Sequence, residues 1–466
     1  MNKFQIHIEK VLADLHTTVS LYLKLRDRFT QPILLESADS RAGSDTTSII
    51  GLNPIATFKA KGNQATIHLP GEPKKEVNLI NNQVLDLLND FLEQTKNLAD
   101  DQQLHAQNGL FGYMSFESVG YVEPKLKGMM DRDSRYKIPD ISYSLYGIVI
   151  LFDHFRHEIS IVETSPQEEA SKIPYIKSLF DGYNPGYYPF KADEAETSEI
   201  SDQEYRDVVS NGKKHCRRGD VFQVVLSRPF ERKFTGDEFN VYRRLRSVNP
   251  SPYLFYFDYG SFRLMGSSPE SQLIIRQNKA TISPIAGTYG RTGNDEGDRL
   301  QAEKLLADPK ENAEHIMLVD LARNDLSRSA RNLQVEAFRQ THFFSHLIHL
   351  VSEVTGDLPE SYNPFDVLFD SFPAGTLSGA PKHKAMELIN TYESTLRGFY
   401  GGCIGKIGFD GSLVHAILIR SMLSIDNKLV YRAGAGIVER YVEETELLEV
   451  NQKIAALRKA IDLASM

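Results

Sequence analysis

The chain has 466 residues, 41% of them hydrophobic and 25% charged, the proportions of an ordinary globular protein with room for two or three domains. A formal charge of −9 leaves no global basic field to draw in nucleic acid or anionic lipid, so an anionic ligand must meet locally placed cations or a metal. Two cysteines, Cys216 and Cys403, are too few for a disulfide framework or a thiolate metal centre. The start MNKFQIHIEK has no signal-peptide core, and the most apolar run, YGIVILF (146–152), is far short of a membrane span, so the expected location is the cytoplasm.

In chain order, apolar periodicity predicts helices around 5–28 and 83–96, and alternating runs predict strands at 144–152 and 158–163. Proline and glycine in YNPGYYPF (183–190) give way to an acidic tract, which reads as a linker between an N-terminal region, 1–182, and a C-terminal domain, 201–466. Ser201 and Glu204 have the spacing of a capping box that opens a helix over 204–218. Strands follow at VFQVVLS (221–227), YLFYFDY (253–259), FRLMGSS (262–268) and HAILIRSML (415–423), with helices over 311–322, 378–391 and 443–463. Asp410-Gly411 and Asp426-Asn427 have hairpin chemistry, so the expected class is α+β, a two-part sandwich of antiparallel sheets with flanking helices.

Two acid pairs stand out. In ENAEHIMLVDLARND, Glu311 and Glu314 share one helix face, and the apolar residues that follow cover almost every other face, which predicts a buried helix. In EETELLEVNQKIAALRKAIDLA, Leu447, Val450, Ile454, Leu457 and Ile461 form an apolar seam, and Glu446, Glu449 and Lys453 form a stripe along its border. Such a stripe is a solvated flank or the wall of a cleft. If it is a wall, four carboxylates suit a hard divalent cation such as Mg²⁺, or equally a general acid/base dyad; spacing leaves both open.

Taken singly, the glycine-rich stretches SPIAGTYGRTG (283–293), FPAGTLSGAPKHKAMELI (372–389), YGGCIGKIGFDG (400–411) and YRAGAGIV (431–438) are tight turns, and none is a phosphate loop. Together and in this order with GSSPE (266–270) and the two acid-bearing helices, they resemble the chorismate-utilising enzymes, densely over 200–460 and thinly before that, and most closely the anthranilate synthase large subunits. The resemblance implies a reaction in which ammonia adds to chorismate, the 4-hydroxyl leaves and pyruvate is eliminated. It implies Mg²⁺ on Glu314 and Glu449, with Glu311 and Glu446 in support. Glu270 matches the acid that protonates the 4-hydroxyl, and His349 the histidine at the pyruvate-eliminating end. Tyr400 and Arg420 match the residues that hold the enolpyruvyl carboxylate, and Lys453 a nearby cation. Thr376, Thr288, Gly287, Gly434 and Gly436 match loop positions that approach the ligand.

Two positions discriminate within the family. Relatives that add water carry a lysine base where this chain has Gln223, which has no basic site at neutral pH. Aminodeoxychorismate synthases carry a lysine where this chain has Ala286, so that enzyme is the runner-up, with a catalytically silent tryptophan-binding relative behind it. Tyr289-Gly290 replaces the family's usual Arg-Pro. The segment PILLESADS (32–40) resembles the family's feedback element, with Glu36 and Ser37 facing Pro252 and Tyr253 to take tryptophan. No glutaminase nucleophile elbow occurs, so glutamine use implies a separate amidotransferase subunit, in a heterotetramer as in the family.

Overall fold

The computed structural model describes residues 4–37, 47–79, 83–98, 108–129, 135–167, 169–182, 184–343 and 347–466. All strand pairings among them are antiparallel, as the hairpin chemistry implied, and they form two arms that diverge from one long strand, Thr47–Lys61. On one side Thr47–Lys61 pairs with Ile141–Asp153, and the ladder runs on through Gly109–Met114, Cys403–Gly408 and Leu413–Ile417 to Ser271–Arg276. On the other it pairs with Ile33–Glu36, then Tyr253–Asp258, Phe262–Ser268, Ser421–Ile425, Lys428–Ile437 and Gln223–Gly236. Phe111, Tyr113 and Ile404 from the first arm and Phe255, Phe257 and Leu264 from the second share one apolar cluster, which makes the arms the layers of a sandwich.

Strands from both sides of the 183–202 segment therefore pair with each other: Ile33–Glu36 with Tyr253–Asp258, and Gly109–Met114 with Cys403–Gly408. The segment itself is more than a connector, because Phe190–Thr197 within it adds an edge strand to Gln223–Gly236. Cys403 heads a strand and does not sit in a turn.

Most predicted helices are present. Gln83–Leu98, Asp202–Arg218 with its capping box, Pro309–Leu326, Lys382–Tyr392 and Glu443–Ala464 match their predicted spans within a few residues. The helix expected over 5–28 is wrong in its first half: Phe4–Leu12 is a strand paired with Glu158–Pro166, and only Thr18–Leu25 is helical. FQIHIEKVL alternates at period 2 as well as it fits a helical stripe, and pairing with the neighbouring strand decided between them. The helix Pro309–Leu326 is not buried on every side either; Ile316 is 50% exposed.

Candidate active site

The predicted strand HAILIRSML breaks where it matters. Leu413–Ile417 belongs to one layer and Ser421–Ile425 to the other, and between them Arg420 sits at φ 49°, a left-handed conformation that costs a non-glycine residue about 1 kcal/mol or more. The Ser267 amide donates to the Arg420 carbonyl at 3.1 Å and fixes the break. The half-buried guanidinium has no carboxylate partner among the described residues. Burial lowers its pKa, with Tyr400 and Glu449 the charges that oppose the shift. An arginine held inside without a counter-ion is a receptor for an anion.

Gly434 and Gly436, expected in a loop, lie mid-strand opposite Ser227 and Val225. Their role is room. A Cβ on Gly436 would stand 2.2 Å from Gln223 Nε2, and one on Gly434 would stand 3.2 Å from the Tyr400 hydroxyl. The side chains of Gln223 and Tyr400 thus cross bare backbone. Gln223 is buried, and its Oε1 accepts no hydrogen bond from the described residues. Lys453 Nζ donates to the Gly434 carbonyl at 2.9 Å and pairs with Glu449 at 2.6 Å.

Glu270 follows the strand Phe262–Ser268, and the amide of Ile417 anchors its carbonyl at 3.0 Å. Thr376, in the short helix Gly375–Ser378, donates to Glu270 Oε1 at 2.9 Å. Burial pushes the Glu270 carboxyl up to about 7, against the pull of Thr376 and Lys453. His349 lies opposite Thr288 in the ladder, so Thr288 and Gly287 are strand residues as well; the Thr288 side chain is outside what is described. Because the Gly287 carbonyl can only accept, His349 donates from Nδ1 at 3.1 Å, and in the neutral ring Nε2 carries the lone pair. Burial drives this histidine down to about 4, with Arg420 and Lys453 adding to the shift. Lys453 bonds to the Gly434 carbonyl beside the Tyr400 hydroxyl and acts on Glu270 and His349, and Arg420 acts on His349 and Tyr400, so these groups are neighbours. Ala286 is buried opposite Leu350.

The acids line the same region. Asp308 caps the helix Pro309–Leu326 by accepting from the amides of Lys310 and Glu311. Tyr289, the departure from the family pattern, donates to Asp308 at 3.0 Å and so braces that cap. A Cβ on Gly287 would lie 3.3 Å from Glu311 Oε2, which brings the PIAGT strand against the acid-bearing helix. Tyr441 donates to Glu314 at 3.0 Å. Glu446 is 1% exposed, and its Oε2 has no hydrogen-bond partner among the described residues; burial, reinforced by Glu449 and Glu314, pushes it up to about 8. Among the described residues no three His, Cys, Asp or Glu side chains close on a common point.

The residues of the second predicted cluster lie at the end of one strand pair. Leu254 pairs with Glu36, and the register next brings Ser37 toward Tyr253, with Pro252 alongside; residues 38–40 of PILLESADS lie outside the described residues. Glu36 is buried and already satisfied. It accepts from Thr18, from Tyr242 at 2.7 Å, and pairs with Arg246 at 3.1 Å. Sequence reasoning missed Arg246, and it missed Glu117, Glu393, Arg397 and Arg432 behind Tyr400. Arg397 stands three residues before Tyr400 in a glycine-rich stretch, which was the one available signal.

The family model for chorismate binding enzymes matches residues 31–459. Anthranilate synthase component 1 from Aquifex aeolicus is 35% identical over 476 residues, covering 98% of this chain and 94% of its own. The protein of the same description from Thermus thermophilus is 35% identical over 470 residues, with 100% and 99% covered. The crystal structure of anthranilate synthase component I from Streptococcus pneumoniae TIGR4 matches with a TM-score of 0.77 at 28% identity, covering 97% of this chain and 99% of that one. The menaquinone-specific isochorismate synthase from Escherichia coli matches with a TM-score of 0.75 at 18% identity, covering 99% and 95%, a likeness of fold alone. With Glu270, Arg420, Tyr400 and the two acid-bearing helices around one cleft, this chain belongs to the chorismate binding enzyme family, alongside its anthranilate synthase component 1 members.

Proposed function

We propose that this chain is the lyase subunit that turns chorismate and ammonia into anthranilate and pyruvate, the first committed step toward tryptophan. The observation that carries this reading is Glu270, a buried acid that holds its proton near neutral pH beside Thr376, in a cleft that also holds Arg420, which has no carboxylate partner among the described residues. Arg420 and the Tyr400 hydroxyl take the enolpyruvyl carboxylate. Glu270 gives its proton to the departing 4-hydroxyl, which leaves as water while ammonia adds at ring C2. Gln223, with an open amide oxygen and no basic site, can orient ammonia but cannot activate water. His349, neutral with its lone pair on Nε2, stands ready as acceptor when pyruvate is eliminated. Lys453, Thr288, Gly434 and Gly436 shape the floor and walls.

The carboxylates fit Mg²⁺. The donors are all hard oxygens, the buried Glu446 oxygen has no donor among the described residues, and Mg²⁺ commonly takes only one or two protein carboxylates with waters and substrate, so no closed three-residue cage is required. In this reading Glu314 and Glu449 hold the ion, with Glu311 and Glu446 in support. Bound there, Mg²⁺ supplies charge neutralisation for the ring carboxylate of the substrate.

Tryptophan is the proposed feedback ligand at Glu36, Ser37, Pro252 and Tyr253, acting by stabilising a tensed arrangement of the N-terminal region against the catalytic one. A tryptophan inhibition curve unchanged by Ser37→Ala would rule the site out. Ammonia from glutamine requires an amidotransferase partner, in a heterotetramer. Neither cysteine of this chain suits a glutaminase nucleophile: Cys216 donates to the Ile437 carbonyl and burial pushes it up to about 11, while Cys403 is fully buried. No described helix is long and apolar enough to cross a membrane, and a cytoplasmic location accords with this chemistry. The alternative, aminodeoxychorismate synthase component I, lacks its nucleophile at Ala286.

The test is fluorescence of the purified chain with chorismate, Mg²⁺ and ammonium at mildly alkaline pH. Anthranilate emission that EDTA abolishes and tryptophan suppresses is expected. Chorismate consumed without anthranilate points to a non-eliminating relative, and no consumption at all to a silent one.

A further inference from the structure

Behind Tyr400 lies a fully buried ion cluster that the reaction described above does not use. The Arg397 side chain is 1% exposed and that of Glu393 2%, joined through two oxygens at 2.6 and 3.0 Å. Isolated, such a pair is expensive to bury and gives little net stability. Here every arm of the fork is spent on a different segment. Arg397 Nη1 donates to the Leu377 carbonyl at 2.6 Å, one residue from Thr376. Nη2 donates to the Val225 carbonyl at 2.7 Å, two residues from Gln223. The guanidinium lies over the Phe116 ring at 4.4 Å and 5.7 Å from the Tyr400 ring.

The partners of Arg397 extend the grip. Glu393 also accepts from the Ser227 amide at 2.8 Å and pairs with Arg432 at 3.1 Å, two residues before Gly434 in its strand. Glu117 accepts from the amides of Arg397 and Gly398 at 2.7 and 3.0 Å and so ties down the loop that ends at Tyr400. One residue therefore touches or braces the segments that carry Gln223, Thr376, Tyr400 and Gly434.

We propose that Arg397 is a positioning residue of the catalytic cleft, a buried fork that sets the Tyr400 hydroxyl, the Thr376 turn and the Gln223 strand in register around the substrate. It touches no substrate itself. Lysine cannot replace it, because a single ammonium cannot reach two carbonyls and a carboxylate on different segments in one plane. The inference rests on the proposed role of Tyr400, and the test separates the two.

The experiment is a kinetic double-mutant cycle on the full chain, with kcat and KM for chorismate measured at saturating ammonium. Arg397→Lys is expected to lower kcat/KM at least tenfold in a protein that still folds. Combined with Tyr400→Phe, the losses should fall well short of multiplying, because the fork acts through that hydroxyl. Combined with His349→Gln, across the cleft, they should multiply. A structural defect alone would multiply with both, and that result overturns the proposal, as does wild-type kcat/KM in Arg397→Lys. If Arg397→Lys does not fold, Glu393→Gln, which keeps the hydrogen bonds to Ser227, must show the same pattern of coupling. Wild-type kinetics in Tyr400→Phe would instead sink the reading of Tyr400, whatever Arg397 does.

Discussion

The catalytic cleft and the Glu36 pocket both bury charge, but they leave it in opposite states. In the cleft Arg420 has no carboxylate partner among the described residues, Gln223 Oε1 has no donor, and Glu446 Oε2 is orphaned inside. In the Glu36 pocket the buried carboxylate already receives Thr18, Tyr242 and Arg246. Unpaired buried groups cost folding stability and return it when a ligand arrives, so the cleft is preorganised for substrate at the expense of the fold. A satisfied carboxylate costs the fold little and makes an incoming cation compete with what is already bound.

The largest effect is expected at Glu270. Glu270→Gln should lower kcat by about 10²- to 10⁴-fold with chorismate binding retained, since the amide has no proton to give. In the intact protein the acid works while protonated, so its contribution should fade as pH rises through about 7. This is read with free ammonia held constant; a pH profile flat through neutrality would remove Glu270 as the acid. Arg420→Ala is expected to cost on the order of a hundredfold in kcat/KM, carried largely by KM, because the charge-assisted contacts to a carboxylate are lost. A KM unchanged by the substitution would mean that the anion is held elsewhere.

Glu446 tests the stability side. Its folded pKa, about 8, lies above the ordinary carboxylate value, so burying it costs nothing below about pH 4.5 and progressively more as pH rises toward 8. Glu446→Gln should therefore raise the thermal midpoint by about 2 °C or more at pH 8 with EDTA present, and by nothing at pH 4. Equal gains at both pH values would show that the orphaned charge is not the cause. A change of affinity is expected at the other site. Replacing Arg246, which is 43% exposed, by glutamine removes the competitor for Glu36 and should tighten tryptophan binding by about tenfold in a calorimetric titration. Weaker binding would mean that Arg246 holds the ligand's carboxylate instead.

Legibility followed the range of the interaction. Asp202–Arg218 is readable from its capping box and Glu443–Ala464 from its apolar seam, because both signals lie within a few turns of sequence. The N-terminal strand Phe4–Leu12 is not, because only its pairing with Glu158–Pro166 distinguishes it from a helix. The site motifs named Arg420 and Gly434 through resemblance, but not that Arg420 interrupts a strand or that Gly434 yields space to Tyr400.

By itself the sequence determined the antiparallel class, the two acid-bearing helices and the chemistry available: an acid in GSSPE, an arginine in an apolar run, and no nucleophilic cysteine. Only the tertiary structure decided what those groups face. It bent the chain at Arg420 so that consecutive strands enter different layers, raised Glu270 by enclosing it, and stacked Arg397 behind Tyr400. Residue type and short-range spacing are written locally, whereas burial, unpaired charge and pKa depend on neighbours brought from hundreds of residues away, and those neighbours exist only once the sheets have closed.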